Sequence, residues 1–383
     1  MSERNLVFMY GFALFGMFFG AGNLVFPIQI GQVTGDNWLF GGLGLSVTGI
    51  ILPFLGLFVV KLHKGDYMQF FGGAGSMARS FLPLVMLSLF GSFAGEPRCI
   101  TVAYGGISQC IPGLSLGVFS FVFCVAMYYV CLKEQRIINL VGKWLTPVLL
   151  LFLTALILLS LADAGVPGKC NDSTPMGSFC GGVVTGYQTM DLVAAFFFSK
   201  LVFTQIQKKL PPETSDKDVI KLSVKSGAIA IIMLMVVYVG MVFLGSNFSG
   251  LVANINPASM LTTVANHTMG DCATLFMGLT IMLACFTTIV ALNSIYAQFL
   301  HSLLKLGKDK FKLVLFMTTA TSFVISLLDF NGIARFLVPI LDALYPSTIV
   351  LTIVSIFTKE HRQLKTILFY GTLAVVALHK VFA

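Results

Sequence analysis

Charge is what this sequence has least of. Only 10% of its 383 residues are Asp, Glu, Lys or Arg, too few to clothe a water-soluble protein of this size. Histidine is scarce too. The five, at 63, 267, 301, 361 and 379, are scattered over loops and helix ends and show no metal-ligand spacing. No phosphate-binding G-x-x-x-x-G-K-[ST] run is present, which argues against ATP-driven work by this chain. No short apolar stretch with a small-residue cleavage site stands at the front, so the first apolar segment is expected to be retained. Gly113-Leu114-Ser115-Leu116-Gly117 matches G-x-S-x-G, but it opens an apolar helix, whereas a nucleophile elbow needs a strand-to-helix turn. These absences argue against an enzyme.

What is abundant is apolar sequence. With 57% hydrophobic residues and a mean hydropathy of +0.91, the chain reads as an all-α polytopic membrane protein embedded in a lipid bilayer. Eleven spans are predicted, at 6–31, 38–61, 80–108, 114–132, 144–162, 183–206, 222–246, 273–303, 313–329, 332–357 and 366–382. The net charge of +8 raises the question of a nucleic-acid partner. The basic residues answer it, because they fall on alternate loops. One side collects Arg4; Lys61, Lys64 and Arg79; Lys133, Arg136 and Lys143; Lys208, Lys209, Lys217, Lys221 and Lys225; Lys305, Lys308, Lys310 and Lys312; and Lys359, Arg362 and Lys365. The other side holds little beyond Lys169 and Lys380. This asymmetry predicts a plasma-membrane protein with a cytoplasmic N-terminus and no nucleic-acid role. Eleven spans put the C-terminus outside, and the sequence stops while still apolar, at Ala377 to Ala383, so a twelfth span is expected to be absent from it.

Two external loops are long, Ala164–Gly182 and Asn247–Cys272. Cys170 and Cys180 in the first either pair in an oxidising exterior or stay free. The other six cysteines lie singly in or near spans and read as small apolar residues. Asn171-Asp-Ser173, Asn247-Phe-Ser249 and Asn266-His-Thr268 match a short glycosylation pattern.

Spans one to five alternate in direction, and spans six to ten repeat that unit upside down. This is the parity of a 5+5 inverted repeat: 1–162 for the first half, 163–182 for the external loop, 183–357 for the second half, and 358–383 for a cytoplasmic loop with an additional helix. Spans one and six are interrupted at matching places, by Gly20-Ala21-Gly22-Asn23 and by Gly186-Tyr187-Gln188-Thr189-Met190-Asp191. Glycines also let helices pack closely, and Gly16/Gly20 and Gly91/Gly95 have that spacing. Asn23 followed by Pro27 fits a break better. Unwound backbone at membrane depth has to face protein, water or a ligand. A half-helix beginning near Leu24 turns the amides of Ala21, Gly22, Asn23 and Leu24 toward an anion such as a carboxylate. The second break offers Tyr187, Thr189 and Asp191 to the same ligand. Carbonyls ending the preceding half-helix, at Gly16 and Phe19, favour a cation.

The stretch GFALFGMFFGAGNLVFP (Gly11 to Pro27) resembles the opening of the BrnQ-like branched-chain amino acid:cation symporters. GYQTMD (Gly186 to Asp191) is similar to their sixth-helix motif, and Pro97-Arg98 to their third helix. The resemblance implies uptake of Leu, Ile and Val and a fold like the sodium-coupled leucine transporter, with no cofactor beyond a coupling ion. Ala284-Cys285-Phe286-Thr287-Thr288 resembles that transporter's sodium-site run. It implies a carbonyl ligand from Ala284 and hydroxyls from Thr287 and Thr288 beside Gly16 and Phe19. Such threonines also back-bond within their own helix in many membrane spans. Ile28 replaces a proline that these symporters often carry, and one residue is missing between Asn23 and Pro27 relative to the leucine transporter.

Ionisable residues inside spans are costly and are functional by default. Glu96 and Arg98 lie mid-span, two residues apart, so on a regular helix they do not face each other. Asp191 and Asp342 are the acidic candidates for Arg98, in a pairing that either locks helices or gates them. If H⁺ is the coupling ion, Glu96 or Asp191 is the carrier candidate. Tyr104 either reaches the substrate carboxylate, as the leucine-transporter resemblance implies, or anchors the outer interface. Lys200 is expected to snorkel toward the cytoplasm. A passive channel, or a carrier of another amino acid or a nucleobase, are the rival readings; accumulation against a gradient and competition by leucine separate them.

Overall fold

The computed structural model describes residues 3–63, 65–111, 113–132, 146–162, 174–211, 214–358 and 361–382. Lys64, Lys133, Arg136, Lys143, Lys169, Cys170, the Asn171 pattern and Lys359 lie outside the described residues, and so does any Cys170–Cys180 pairing. Among the described residues there is helix and no strand.

Helices coincide with each predicted apolar segment. They are α1 (Glu3–Phe18), α2 (Ala21–Thr34), α3 (Trp38–Ser46), α4 (Leu52–Leu62), a short α5 (Tyr67–Gly72), α6 (Ser76–Ser88), α7 (Gly95–Ser108), α8 (Leu116–Cys131) and α9 (Thr146–Ala162) in the first half. Then follow α10 (Pro175–Tyr187), α11 (Asp191–Lys209), α12 (Asp216–Asn247), α13 (Ser249–Val252), α14 (Met260–Met269), α15 (Asp271–Leu303), α16 (Phe311–Ser326), α17 (Asp329–Phe357) and α18 (Arg362–Phe382). Five apolar helical stretches among the described residues, 21–61, 76–108, 217–247, 274–303 and 329–357, are long and apolar enough to cross a membrane. The bent pair α10–α11 makes a sixth, and α8, α9 and α16 are apolar but shorter.

Two boundaries differ from expectation. Helix α10 starts at Pro175, eight residues inside what reads as loop. Thr174 explains this: its hydroxyl caps the amide of Gly177 at 3.1 Å, and proline takes the first helical position. The second external loop is itself largely helical, as α13 and α14, with Asn256 capping the turn between them. Lys61 also differs. It reads as a loop residue, yet it is fully buried at the end of α4, where its ammonium donates to the Ser223 carbonyl of α12 at 2.9 Å.

Helix pairing follows small residues. The α1–α2 span packs on α12, and α10–α11 packs on α3–α4. Helix α7 packs on α15, and α8 on α16. A β-carbon built on Gly31 would lie 2.0 Å from the Val242 carbonyl, and one on Gly245 would lie 2.0 Å from that of Ile28. The other pair repeats this: Gly44 and Gly182 would each meet a facing carbonyl, of Phe179 and Gly41, at 2.1 Å. In lipid, where apolar burial gives helices no reason to associate, such backbone-to-backbone approach supplies the van der Waals contact.

Candidate functional site

The first break falls at Phe19–Gly20. Gly20 is extended (φ −111°, ψ −156°), and the amide of Asn23's neighbour Leu24 already donates to the Gly20 carbonyl at 3.1 Å. Helix α2 therefore begins three residues earlier than expected. The amides without an intrahelical acceptor are those of Ala21, Gly22 and Asn23, and Leu24 is not among them. Asn23 steadies the turn by accepting the Gly20 amide on Oδ1 at 3.3 Å.

The second break falls at Gln188–Met190 and bends the span by 43°. Met190 holds a left-handed conformation (φ 63°, ψ 13°), an arrangement that costs a non-glycine residue on the order of 1 kcal/mol and gathers at functional sites. The two breaks touch. A β-carbon on Gly22 would sit 2.9 Å from the Thr189 Cα, so glycine is needed there for contact.

Side chains tie the breaks together. Asn23 Nδ2 donates to Asp191 Oδ2 at 2.6 Å and to the Tyr238 hydroxyl at 2.5 Å, and Tyr238 in turn donates to the same Asp191 oxygen at 3.2 Å. All three are buried. Beside this triangle lies a cavity of about 30 Å³, bounded by the break residues Gly20–Asn23 and Thr189–Asp191 together with Thr288 and Arg98. That is room for about two waters, so the site stands closed.

Span three is broken as well, which its sequence did not announce. Gly91 (φ −80°, ψ −124°) and Ala94 (φ −147°, ψ −52°) leave the helical region between α6 and α7. Pro97 then falls in the first turn of α7, where a missing amide hydrogen costs nothing. The Gly91/Gly95 spacing therefore marks a break beside the cavity, not only a packing stripe. One turn on, Arg98 is 4% exposed. Its Nη1 donates to the Gln188 carbonyl at 3.0 Å, inside the second break. Its guanidinium carbon lies 4.9 Å from the Phe26 ring centre and 5.3 Å from that of Phe330. Neither Asp191 nor Asp342 takes an ion pair from it. Asp342 is half-buried on α17, away from the cavity lining.

A set of hard oxygens gathers where α1 ends against α15. The Thr287 hydroxyl donates to the carbonyls of Gly16 (3.0 Å) and Ala284 (2.8 Å), and that of Thr288 lies 3.3 Å from the Met17 carbonyl, 3.2 Å from that of Ala284 and 3.5 Å from that of Gly16. The Met17 carbonyl, unexpected from the sequence, joins Gly16 and Ala284 in this set; the Phe19 ring stacks on Phe15 at 5.0 Å. The donor chemistry, neutral carbonyls and hydroxyls, suits a small hard cation.

Other expected residues lie elsewhere. Tyr104 points away from the cavity: its hydroxyl donates to the Leu114 carbonyl at 2.9 Å and its ring meets Phe119. Tyr187 is half-buried with its ring 5.3 Å from that of Tyr345, whose own hydroxyl accepts the Leu192 amide at 3.2 Å. Glu96 is fully buried toward α16. Its Oε2 accepts the Ser322 hydroxyl at 2.5 Å while Oε1 has no partner among the described residues. Tyr238 and Met17 carry no sequence signal, since both sit in unbroken apolar runs.

Phe18 and Phe90, which line the cavity, both meet the ring of Phe198, at 5.4 and 5.9 Å. Beyond that aromatic layer opens a vestibule of about 560 Å³ lined by Tyr67, Phe197, Lys200, Lys208, Gln298 and Lys305. Lys200 is exposed there with its ammonium 5.0 Å from the Tyr67 ring centre.

Residues 3–383 match the family model described as branched-chain amino acid transport protein. The chain is 30% identical over 372 residues to the branched-chain amino acid permease BrnQ of Corynebacterium glutamicum, covering 97% of this chain and 85% of that one. It is 29% identical over 376 residues to the branched-chain amino acid permease BraB of Bacillus subtilis, covering 94% and 83%. Among solved structures it resembles Mhp1, a nucleobase-cation-symport-1 family transporter in a closed conformation (TM-score 0.65, 17% identity, 93% of this chain and 79% of that one). It also resembles a Na⁺-coupled sialic acid symporter (TM-score 0.61, 10% identity, 92% and 79%). At those identities the two structures speak for the fold alone. With the family model spanning almost every residue, the chain belongs to the branched-chain amino acid transport proteins.

Proposed function

We propose that this protein imports leucine, isoleucine and valine across the plasma membrane, coupled to Na⁺, by alternating access from a cytoplasmic-N-terminus topology. The observation that carries the reading is the meeting of two helix breaks at one buried cavity, with a cation-type oxygen set within a turn of it. The names of its relatives supply the substrate class. The cation comes to rest among Gly16, Ala284, Thr287 and Thr288 and holds α1 to α15. The amino acid occupies the cavity between the breaks.

A 5+5 inverted repeat, 1–162 and 183–357, underlies the cycle. The pairing pattern supports it. Advancing each span by five exchanges the α1–α2/α12 contact with the α10–α11/α3–α4 contact and leaves α7/α15 and α8/α16 in place. Two layers flank the cavity: Phe18, Phe90 and Phe198 toward the lysine-lined vestibule, and Phe26, Arg98 and Phe330 on the other face. Transport parts one layer at a time.

A competitor panel against labelled leucine uptake in proteoliposomes tests the substrate. Isoleucine and valine are expected to abolish uptake at modest excess, while uracil and hydantoin leave it untouched. Inhibition by the nucleobase and not by valine overturns the assignment. Proton coupling is the second reading, favoured by the unpartnered oxygen of Glu96 and by Asp191 in the cavity wall. It predicts leucine accumulation under an inward pH gradient without Na⁺, lost in Glu96→Gln or Asp191→Asn.

A further inference from the structure

Arg98 is a buried cation that the protein itself leaves incompletely satisfied. One nitrogen, Nη1, reaches the Gln188 carbonyl, while Nε and Nη2 are buried with no partner among the described residues. Among the described residues no carboxylate pairs with it, although Asp191 lines the same cavity. Asp191 spends its contacts on Asn23 and Tyr238 instead. A guanidinium held away from water without a counter-charge is a standing cost to the fold. Phe26 and Phe330 lie against it, and such rings favour a cation on their faces without using its N–H donors. A free N–H pair of this kind matches a carboxylate in bidentate geometry.

We propose that Arg98 binds the substrate's α-carboxylate through its unpartnered Nε and Nη2, while Asp191, on the opposite break, receives the α-ammonium. This deepens the amino-acid reading given above and rests on it. One buried positive and one buried negative group, kept apart in a single cavity, complement a zwitterion, which neutralises both at once. The remaining wall near Phe18, Phe90 and Leu292 is apolar and takes the branched side chain. Arg98 is thus a specificity residue for the α-carboxyl group, in addition to the first-turn amides of α2.

The test is direct binding to the purified full-length protein in Na⁺, using leucine and leucinamide, which keeps the ammonium and side chain but carries no carboxylate. Wild type is expected to favour leucine by about 100-fold or more, the scale on which a buried charged partner discriminates. Arg98→Gln should weaken leucine by about the same factor and leucinamide by less than threefold. Arg98→Lys, a point charge without the fork, should fall between. Asp191→Asn should weaken both ligands alike. Na⁺-induced thermal stabilisation should persist in Arg98→Gln, which reports that it folds. Equal losses of leucine and leucinamide in Arg98→Gln, or an unchanged preference, overturn the assignment while leaving amino-acid transport standing. Binding of neither ligand by wild type overturns the amino-acid reading and this assignment with it.

Discussion

Asn23 is the side chain on which the closed site turns, so its truncation is the sharpest perturbation. Asn23→Ala removes three contacts at once: the cap on the Gly20 amide and the donations to Asp191 and Tyr238. A hydrogen bond to a charged group contributes about 1.5–3 kcal/mol and a neutral one about 0.5–1.5 kcal/mol. Tyr238 still donates to Asp191 after the change, which offsets part of the loss. The net effect on bringing the breaks together is then about 2–3 kcal/mol, or roughly a 30- to 150-fold fall in transport rate at low substrate. Tyr238→Phe keeps the Asn23–Asp191 bond but loses the bond from Asn23 and the longer one to Asp191, so it should cost about 2 kcal/mol, roughly 30-fold. Because the residues share one carboxylate oxygen, the double variant should fall short of the product of the single effects. The assay is the initial rate of subsaturating leucine uptake per reconstituted protein, with gel filtration to establish folding. An Asn23→Ala rate within twofold of wild type, or strict additivity with Tyr238→Phe, would refute the reasoning.

Thr287→Ala with Thr288→Ala removes both hydroxyls of the oxygen set; the Na⁺ half-saturation of uptake should rise at least about tenfold, as for any two lost ligands near 1 kcal/mol each, and an unchanged value removes the cation site. Gly22→Ala places a methyl 2.9 Å from the Thr189 Cα; overpacking of about 1–3 kcal/mol should lower the leucine uptake rate more than the thermal unfolding temperature, and normal uptake would mean the breaks do not need to touch. Lys61→Met exchanges a fully buried ammonium with one carbonyl partner for an apolar chain of similar length; thermal unfolding should occur at the same or a higher temperature, and a loss of several degrees would show that the lysine holds α4 to α12.

The breaks in spans one and six were legible because glycine and polar residues interrupt long apolar runs, which is a local signal. The third break was not, since Gly91 and Gly95 have the spacing of a packing stripe and only the backbone reveals that Gly91 leaves the helix. The start of α2, three residues before Leu24, is hidden for a related reason: it depends on how Gly20 folds back onto Phe18, a bond of 2.7 Å that no residue type announces. Tyr238 and Met17 join the site purely by tertiary approach. Asp191 was legible as a buried acid, but its partners were not. The expected ion pair with Arg98 fails because Asn23 and Tyr238 reach the carboxylate first. For Tyr104 the sequence leaves substrate contact and an interface anchor both open, and its neighbour in space is the Leu114 carbonyl.

The most direct test of the central claim is the accumulation of labelled leucine in proteoliposomes under an inward Na⁺ gradient, against the same vesicles with equal Na⁺ on both sides. The account predicts transient concentration of leucine above the external level only when the gradient is present. Equal, non-accumulating entry in both cases would contradict Na⁺ coupling and make the protein a passive path.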